Sequence, residues 1–383
     1  MSARVESPST VEEAAELVRA ADRAEETLRW RGGGTKLGWG RPTPGPDVEV
    51  LTAGLDAIVE HNRGDLTGVL QAGVPLQRAQ EVFADAGQML ALDPDSGNGA
   101  ATIGGVVATA DQGPLRHHYG AVRDLLLGMT VVLSDGTTAR SGGVVIKNVA
   151  GYDLAKLFAG SFGTLGLIVQ IVVRLHPRAP RPLTVIGSSD DPQALAQAAF
   201  SLAHEVFEIE ALDIFWRAGA GEVIALVGGG APEHQAEVAS THFREAGVAA
   251  ETTEDLARWE RQRRLQRSSD GVVVRLSGLP AELGRVLELA ESCGATALGR
   301  AGLGVSFLSL PPAAPDELVG VVEDVRARLR PRSCTVLDAP EEVRAKLDVW
   351  GERDEGAVGL MRRIKERFDP KGLCNPGIYI GGM

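Results

Sequence analysis

The sequence predicts a two-part αβ architecture whose ligand is held by scattered glycine loops, not by one fingerprint turn on a doubly wound sheet. Three observations carry this. Glycine-rich stretches recur at Arg31-Gly32-Gly33-Gly34-Thr35-Lys36, at Ala101-Thr102-Ile103-Gly104-Gly105 and at Gly160-Ser161-Phe162-Gly163-Thr164-Leu165-Gly166. The runs at Gly32, Gly97, Gly228 and Gly302 all fail the G-x-G-x-x-G spacing, and no Walker pattern is present. Three prolines in His176-Pro177-Arg178-Ala179-Pro180-Arg181-Pro182 interrupt the pattern. Proline cannot donate to a sheet and restrains its predecessor, so this strip marks a domain boundary.

In chain order, Ser9-Thr10 before Val11-Glu12-Glu13 reads as an N-cap of capping-box type, followed by Val11, Ala14, Ala15, Val18 and Ala21 at helical spacing. Strands are expected over 48–52, 57–61 and 68–72, and a helix from Pro75 to Gly87. The segment 131–138 reads as a hairpin with an Asp135-Gly136 turn. Asp153 is expected to cap a short helix to Phe158, ahead of a β-branched strand over 165–175. Beyond the prolines, strands over 183–187, 211–216, 223–227, 272–276, 303–310 and 334–338 alternate with helices over 192–207, 232–246, 254–267, 280–293 and 315–329. That order predicts an αβ sandwich with its helices on one sheet face. A last helix, 355–368, runs into Asp369-Pro370-Lys371-Gly372.

Composition narrows the function. The 383 residues suit about two to three domains. A net charge of −12, with no basic cluster interleaved with aromatics, argues against nucleic acid and anionic membrane as partners. The polar residues 1–10 are no signal peptide, and no apolar run approaches the ~20 residues of an integral membrane segment. Cys293, Cys334 and Cys374 are few and far apart, which fits a reducing, cytoplasmic setting and offers no metal-site spacing. Docking at the inner membrane through partners stays compatible with this.

A strand that breaks into Gly32-Gly33-Gly34 puts backbone N–H groups on one concave turn with no Cβ in the way. With Arg31, Thr35 and Lys36 beside them, an anion such as a pyrophosphate suits the loop, and three such stretches point to one extended ligand. His117-His118 could pair on a metal, but alternate side chains of an extended segment point apart, so no metal is expected.

RGGGTK, ATIGGVVATADQGPLRHHYGAVRDLLLGMTVVLSDGT, GYDLAKLFAGSFGTLGLIV and KERFDPKGLCNPG closely resemble the vanillyl-alcohol oxidase/p-cresol methylhydroxylase-type FAD-binding flavoproteins, and within them the FAD-binding subunits of glycolate oxidase complexes. The resemblance implies an α+β flavin domain in two subdomains over 1–178, an αβ-sandwich domain over 183–340, and a segment, 341–383, that returns to the flavin domain. It further implies that Arg31 to Thr35, with Lys36 beside them, hold the diphosphate of FAD. Thr102, Ile103, Gly104 and Gly105 would pass under flavin and diphosphate, and Gly163, Thr164, Leu165, Gly166 and Ile168 would approach the adenosine half. Tyr119, Gly120 and Asp124 match a Y-G-x-x-x-D pattern in which Asp124 either serves the cofactor or caps the turn. Lys147-Asn148 would either reach the isoalloxazine or lie in a solvated loop, and Asn375 would pack near the ring. Covalently flavinylated relatives carry a histidine where Thr35 stands, so the FAD is expected to be non-covalent.

Two departures matter: Phe162 replaces a frequent Glu, and Ile378 a frequent Lys after N-P-G. Relatives that oxidise 2-hydroxy acids themselves draw histidines from the second domain, whereas the last of the seven here is His242. His204, His234 and His242 fall on expected helices among charged residues and read as solvated, which leaves the catalytic residues unknown. The leading expectation is an FAD-carrying subunit that works with a larger catalytic flavoprotein and an iron–sulfur subunit on a small 2-hydroxy acid. A stand-alone FAD-dependent dehydrogenase and a structural subunit with a vestigial flavin site are the alternatives.

Overall fold

The computed structural model describes residues 3–144, 153–205 and 207–383. By internal contacts the chain divides into unit 1, Met1–Gln112 with Gly120–Arg178 and Arg353–Met383, and unit 2, Gly113–Tyr119 with Ala179–Glu352. The division after Arg178 falls within the proline strip. Unit 2 runs past residue 340 because Val336 N–H donates to Val349 O at 2.7 Å, which keeps the following turn with the sheet.

The first part of the chain contains β1 (Arg4–Glu6), α1 (Val11–Ala24), β2 (Leu28–Arg31), β3 (Val48–Leu51), β4 (Ile58–Asn62), β5 (Thr67–Gln71), α2 (Leu76–Ala84), β6 (Gln88–Met89) and α3 (Ile103–Thr109). The one-turn α4 (Arg116–Tyr119) belongs to unit 2. Next come β7 (Leu126–Val132), β8 (Thr138–Gly142), α5 (Ala155–Phe158), β9 (Leu167–Arg174) and β10 (His176–Pro177). Within unit 1, β1-β3-β2 form a parallel sheet, β4-β5-β9-β7-β8 an antiparallel one, and β10 pairs with β6.

The amphipathic face of α1 explains how the two larger sheets of unit 1 share a core: Ala14, Val18 and Ala21 pack with Leu28, Val48 and Val50 on one side and Val132, Leu167 and Val169 on the other. Thr10 Oγ1 accepts Glu13 N–H at 3.1 Å, while the Glu13 carboxylate reaches one residue further back, to Ser9 N–H and Oγ, both at 2.8 Å. The hairpin turns at Gly136 (φ +79°), where a Cβ would fall 2.6 Å from Ala15 O, so α1 also fixes that turn. Asp153 does not cap α5 through its side chain; its carboxylate pairs with Lys156 Nζ at 2.9 Å instead.

Unit 2 is built from β11 (Leu183–Ser189), α6 (Pro192–Leu202), β12 (Ile209–Arg217), β13 (Ala220–Val227), α7 (Pro232–Glu245), β14 (Ala249–Thr253), α8 (Ala257–Arg264), β15 (Val272–Ser277), α9 (Leu283–Ser292), β16 (Thr296–Arg300), β17 (Val305–Leu310), α10 (Pro315–Leu329), β18 (Ser333–Asp338) and α11 (Glu341–Lys346). Its eight strands form one antiparallel sheet, ordered β14-β11-β13-β12-β16-β17-β15-β18. The helices do not all lie on one face. A Cβ on Gly187 would meet Phe243 of α7, whereas the neighbouring Ile186 packs with Trp259 of α8. Successive strand residues face opposite ways, so α7 and α8 cover opposite faces. The chain then re-enters unit 1 through α12 (Glu355–Phe368).

Candidate cofactor site

Strand β2 ends at Arg31, and its glycines run directly over the second glycine stretch. A Cβ on Gly32 would sit 2.2 Å from Thr102 Oγ1, and one on Gly33 would sit 1.6 Å from Ala100 O. Stretches some seventy residues apart thus form one surface that only glycine permits. Gly34 adopts φ +72°, and Thr35 Cγ2 lies against Gly97. The N–H groups of Gly32, Gly33 and Gly34 make no hydrogen bond to another described residue. Thr102 caps α3, its Oγ1 accepting Gly105 N–H at 3.3 Å, and Gly104 N–H donates to Ala72 O at 2.8 Å. Ile103 is fully buried.

The third stretch is tied to the same place. Gly160 N–H donates to Val107 O at 3.0 Å and Phe162 N–H to Ala108 O at 2.8 Å, both at the end of α3. Trp30 Nε1 donates to Gly163 O at 2.8 Å, which joins this loop to β2. Phe162 and Gly163 both have positive φ, +55° and +70°. Thr164, Leu165 and Ile168 are buried, and Thr164 Oγ1 donates to Ser161 O at 2.7 Å. A Cβ on Gly166 would fall 2.6 Å from Val132 O.

Asn375 lies at the meeting point of these segments, not loose beside them. Its backbone N–H donates to Leu28 O at 2.8 Å, its Oδ1 accepts Trp30 N–H at 3.2 Å, and its Nδ2 donates to Phe162 O at 2.6 Å. Both ends of the side-chain amide are used on protein. Ile378 packs over Gly40, where a Cβ would fall 2.6 Å from Ile378 Cγ1, and its carbonyl accepts Arg41 N–H. Phe162 sits near Tyr379, ring centroids 5.7 Å apart.

The charges flanking the glycines are committed. Arg31 Nη1 pairs with Glu49 at 3.2 Å. Lys36 Nζ pairs with Asp111 at 3.1 Å, both side chains no more than 10% exposed. For an anion the loop offers its backbone: a surface that no Cβ obstructs and, among the described residues, N–H groups of Gly32, Gly33 and Gly34 without protein acceptors. Those features fit a diphosphate. When bound, FAD supplies a ring that accepts two electrons as a hydride.

Gly120 (φ +86°) marks the return from unit 2 to unit 1, and Asp124 Oδ2 accepts Ala121 N–H at 2.9 Å, which closes the turn. Lys147 and Asn148 lie outside the described residues. His117-His118-Tyr119 is helical, not extended, because Gly113-Pro114 starts a turn that continues into α4. Burial, with a smaller contribution from His118, pushes the His117 imidazole down to about 4, and its Nδ1 is buried without a partner. Burial together with Glu210 and Glu208 raises the Tyr119 hydroxyl.

Sequence reasoning passed over Lys365 and Asp369. Lys365 Nζ donates to the Asp369 carboxylate, to Thr164 O at 2.8 Å and to Cys374 O at 2.9 Å. Asp369 also accepts Leu373 N–H at 3.0 Å and Cys374 N–H at 2.8 Å. The available signal was an i,i+4 Lys–Asp pair at the end of an amphipathic helix. Burial raises the Cys374 thiol, which leaves it unreactive.

Residues 2–142 match the FAD binding domain model, and residues 349–379 match the C-terminal domain of FAD linked oxidases. A solved alkyldihydroxyacetonephosphate synthase superposes with a TM-score of 0.74 at 17% identity, covering 97% of this chain and 75% of that one. An uncharacterized FAD-linked oxidoreductase of Mycobacterium tuberculosis is 28% identical over 98% of this chain and 90% of its own length. A glycolate oxidase subunit of Escherichia coli is 34% identical over 48% of this chain and 52% of its own length. A D-2-hydroxyglutarate dehydrogenase of Stutzerimonas stutzeri is 35% identical over 48% of this chain and 39% of its own length. The fold is that of the p-cresol methylhydroxylase-type FAD-binding flavoproteins. The protein is an FAD-dependent oxidoreductase. Among the described residues, no helix is long and apolar enough to cross a membrane.

Proposed function

We propose that this chain is the FAD-binding subunit of a complex that oxidises glycolate or a related 2-hydroxy acid, working with a larger catalytic flavoprotein and an iron–sulfur subunit. Similarity of about half of the chain to a glycolate oxidase subunit supports the substrate class. The placement of histidines carries the division of labour. Oxidising a 2-hydroxy acid removes a hydride from C2 and a proton from the hydroxyl, and a side chain tuned near neutrality must take that proton. No histidine follows His242. His242 is not solvated but partly buried and paired with Glu205 at 2.9 Å, His204 Nδ1 contacts Phe200 O at 2.7 Å, and His234 is exposed.

One observation favours the stand-alone dehydrogenase instead: a D-2-hydroxyglutarate dehydrogenase of Xanthomonas citri is 25% identical over 97% of this chain and 87% of its own length. The two readings separate in one experiment. The tagged chain is purified alone and with whatever accompanies it, and anaerobic flavin bleaching by glycolate and by D-lactate is compared. Bleaching confined to the assembled complex fits the subunit. Equally fast bleaching of the isolated chain rejects it and promotes the dehydrogenase.

A further inference from the structure

Three consecutive carbonyls of the third glycine loop are each held by a side chain from elsewhere in unit 1. Phe162 O accepts Asn375 Nδ2 at 2.6 Å, Gly163 O accepts Trp30 Nε1 at 2.8 Å, and Thr164 O accepts Lys365 Nζ at 2.8 Å. A loop with positive φ at two successive residues has no regular ladder to orient its peptides, so external donors must do it. Pointing the carbonyls at Asn375, Trp30 and Lys365 turns their negative ends away from any anion on the other side of those peptides.

Lys365 is placed to do this without slack. An ammonium has three donors, and here all three are spent, on Asp369, Thr164 O and Cys374 O. A buried ion pair adds little stability over apolar residues of the same shape. What such residues cannot do is pin two carbonyls, 201 and 9 residues away along the chain, to one point. Asn375 closes the circuit, because its Oδ1 takes the N–H of Trp30, two residues before Gly32. We propose that Lys365 and Asn375 are positioning residues for FAD: through Trp30 and the carbonyls of 162–164 they fix the first and third glycine loops relative to each other, so cofactor affinity is set from the C-terminal segment. This goes beyond the reading of the chain as a complex subunit and does not depend on its substrate.

The test uses the full-length FAD-loaded protein and reads flavin dissociation on dilution, as recovered free-flavin fluorescence, with the shape of the visible flavin band as a second readout. Two disruptive variants and one conservative variant are compared with wild type. Asn375→Ala removes the tether without burying a charge, and the double variant Lys365→Met/Asp369→Asn removes the clamp without leaving an unpaired buried carboxylate. Each is expected to weaken FAD binding by about tenfold or more, the worth of one to two oriented hydrogen bonds, and to alter the band shape. Far-UV dichroism should be unchanged, and Lys365→Arg should recover part of the affinity, since it restores charge and donors. Wild-type affinity and band shape in Asn375→Ala would overturn the proposal, even if the double variant failed to fold.

Discussion

Lys36 and Asp111 form an ion pair at 3.1 Å that is nearly closed to solvent, their side chains 5% and 10% exposed. The lysine of the RGGGTK loop therefore neutralises a carboxylate, and the loop is braced against the residue just beyond α3. Removing one partner of a buried pair strands the other, at a cost of about 3 kcal/mol. Lys36→Met should lower stability by that order, and Lys36→Met/Asp111→Asn should recover most of it. Urea denaturation of the three proteins checks this; a Lys36→Met variant as stable as wild type would mean that the pair carries no weight.

Glycine at position 33 is demanded by the chain itself, before any ligand binds. A Cβ there would overlap Ala100 O at 1.6 Å, whereas Gly45 is exposed with nothing within 4 Å. Gly33→Ala should cost at least about 2 kcal/mol by overpacking, and Gly33→Val should also abolish FAD retention. Gly45→Ala should stay within about 0.5 kcal/mol of wild type. Thermal melts together with the flavin-to-protein absorbance ratio read both effects, and a stable, yellow Gly33→Val protein would remove this loop from the diphosphate site.

His117 gives the fold a defined response to acid. Burial holds its folded-state value at about 4, against an ordinary 6.5, so between those values the unfolded chain binds a proton that the folded chain refuses. Stability from this group is full above pH 6.5 and declines as pH falls toward 4. His117→Gln should show a shallower loss than wild type over that window and none of the difference above it. Parallel slopes for the two proteins would show that the imidazole protonates freely in the folded state.

The cofactor should leave the chain on denaturation. Thr35 occupies the position after the glycines, and its hydroxyl lies 3.4 Å from Lys36 Nζ. A hydroxyl there offers no imidazole for an 8α linkage. Acid precipitation should release all flavin to the supernatant, and yellow colour on the washed pellet would contradict this.

How much of this was legible in the sequence depends on how local each cause is. The α1 cap, the Asp135-Gly136 turn and the proline-started helices rest on residues within four positions of each other, and they lie where spacing put them. Strands β14, Ala-Ala-Glu-Thr-Thr, and β16, Thr-Ala-Leu-Gly-Arg, were missed because neither has an apolar alternation; central placement between β12 and β17, not propensity, makes β16 a strand. At the cofactor loops, the glycines announced a close backbone approach but not what they approach. The partners of Lys36, Trp30, Asn375 and Lys365 are 75 to 345 residues away or belong to a turn whose shape only the fold defines. The ion-pair partners of Arg31 and Lys36 were hidden for the same reason: Glu49 and Asp111 are invisible as neighbours in one dimension.

The bonds between Leu28 and residues 373–375 also bear on how the protein is made. Leu28 N–H donates to Leu373 O at 2.8 Å and Asn375 N–H to Leu28 O at 2.8 Å, so one side of β2 is satisfied only by residues translated some 345 codons later. While the ribosome synthesises unit 2, that edge of the nascent flavin domain stays open to wrong partners. The edge is therefore expected to close only once residues 373–375 have been translated, and a chain stalled before Lys365 would carry the strands of unit 2 behind an N-terminal part whose β2 edge is still open.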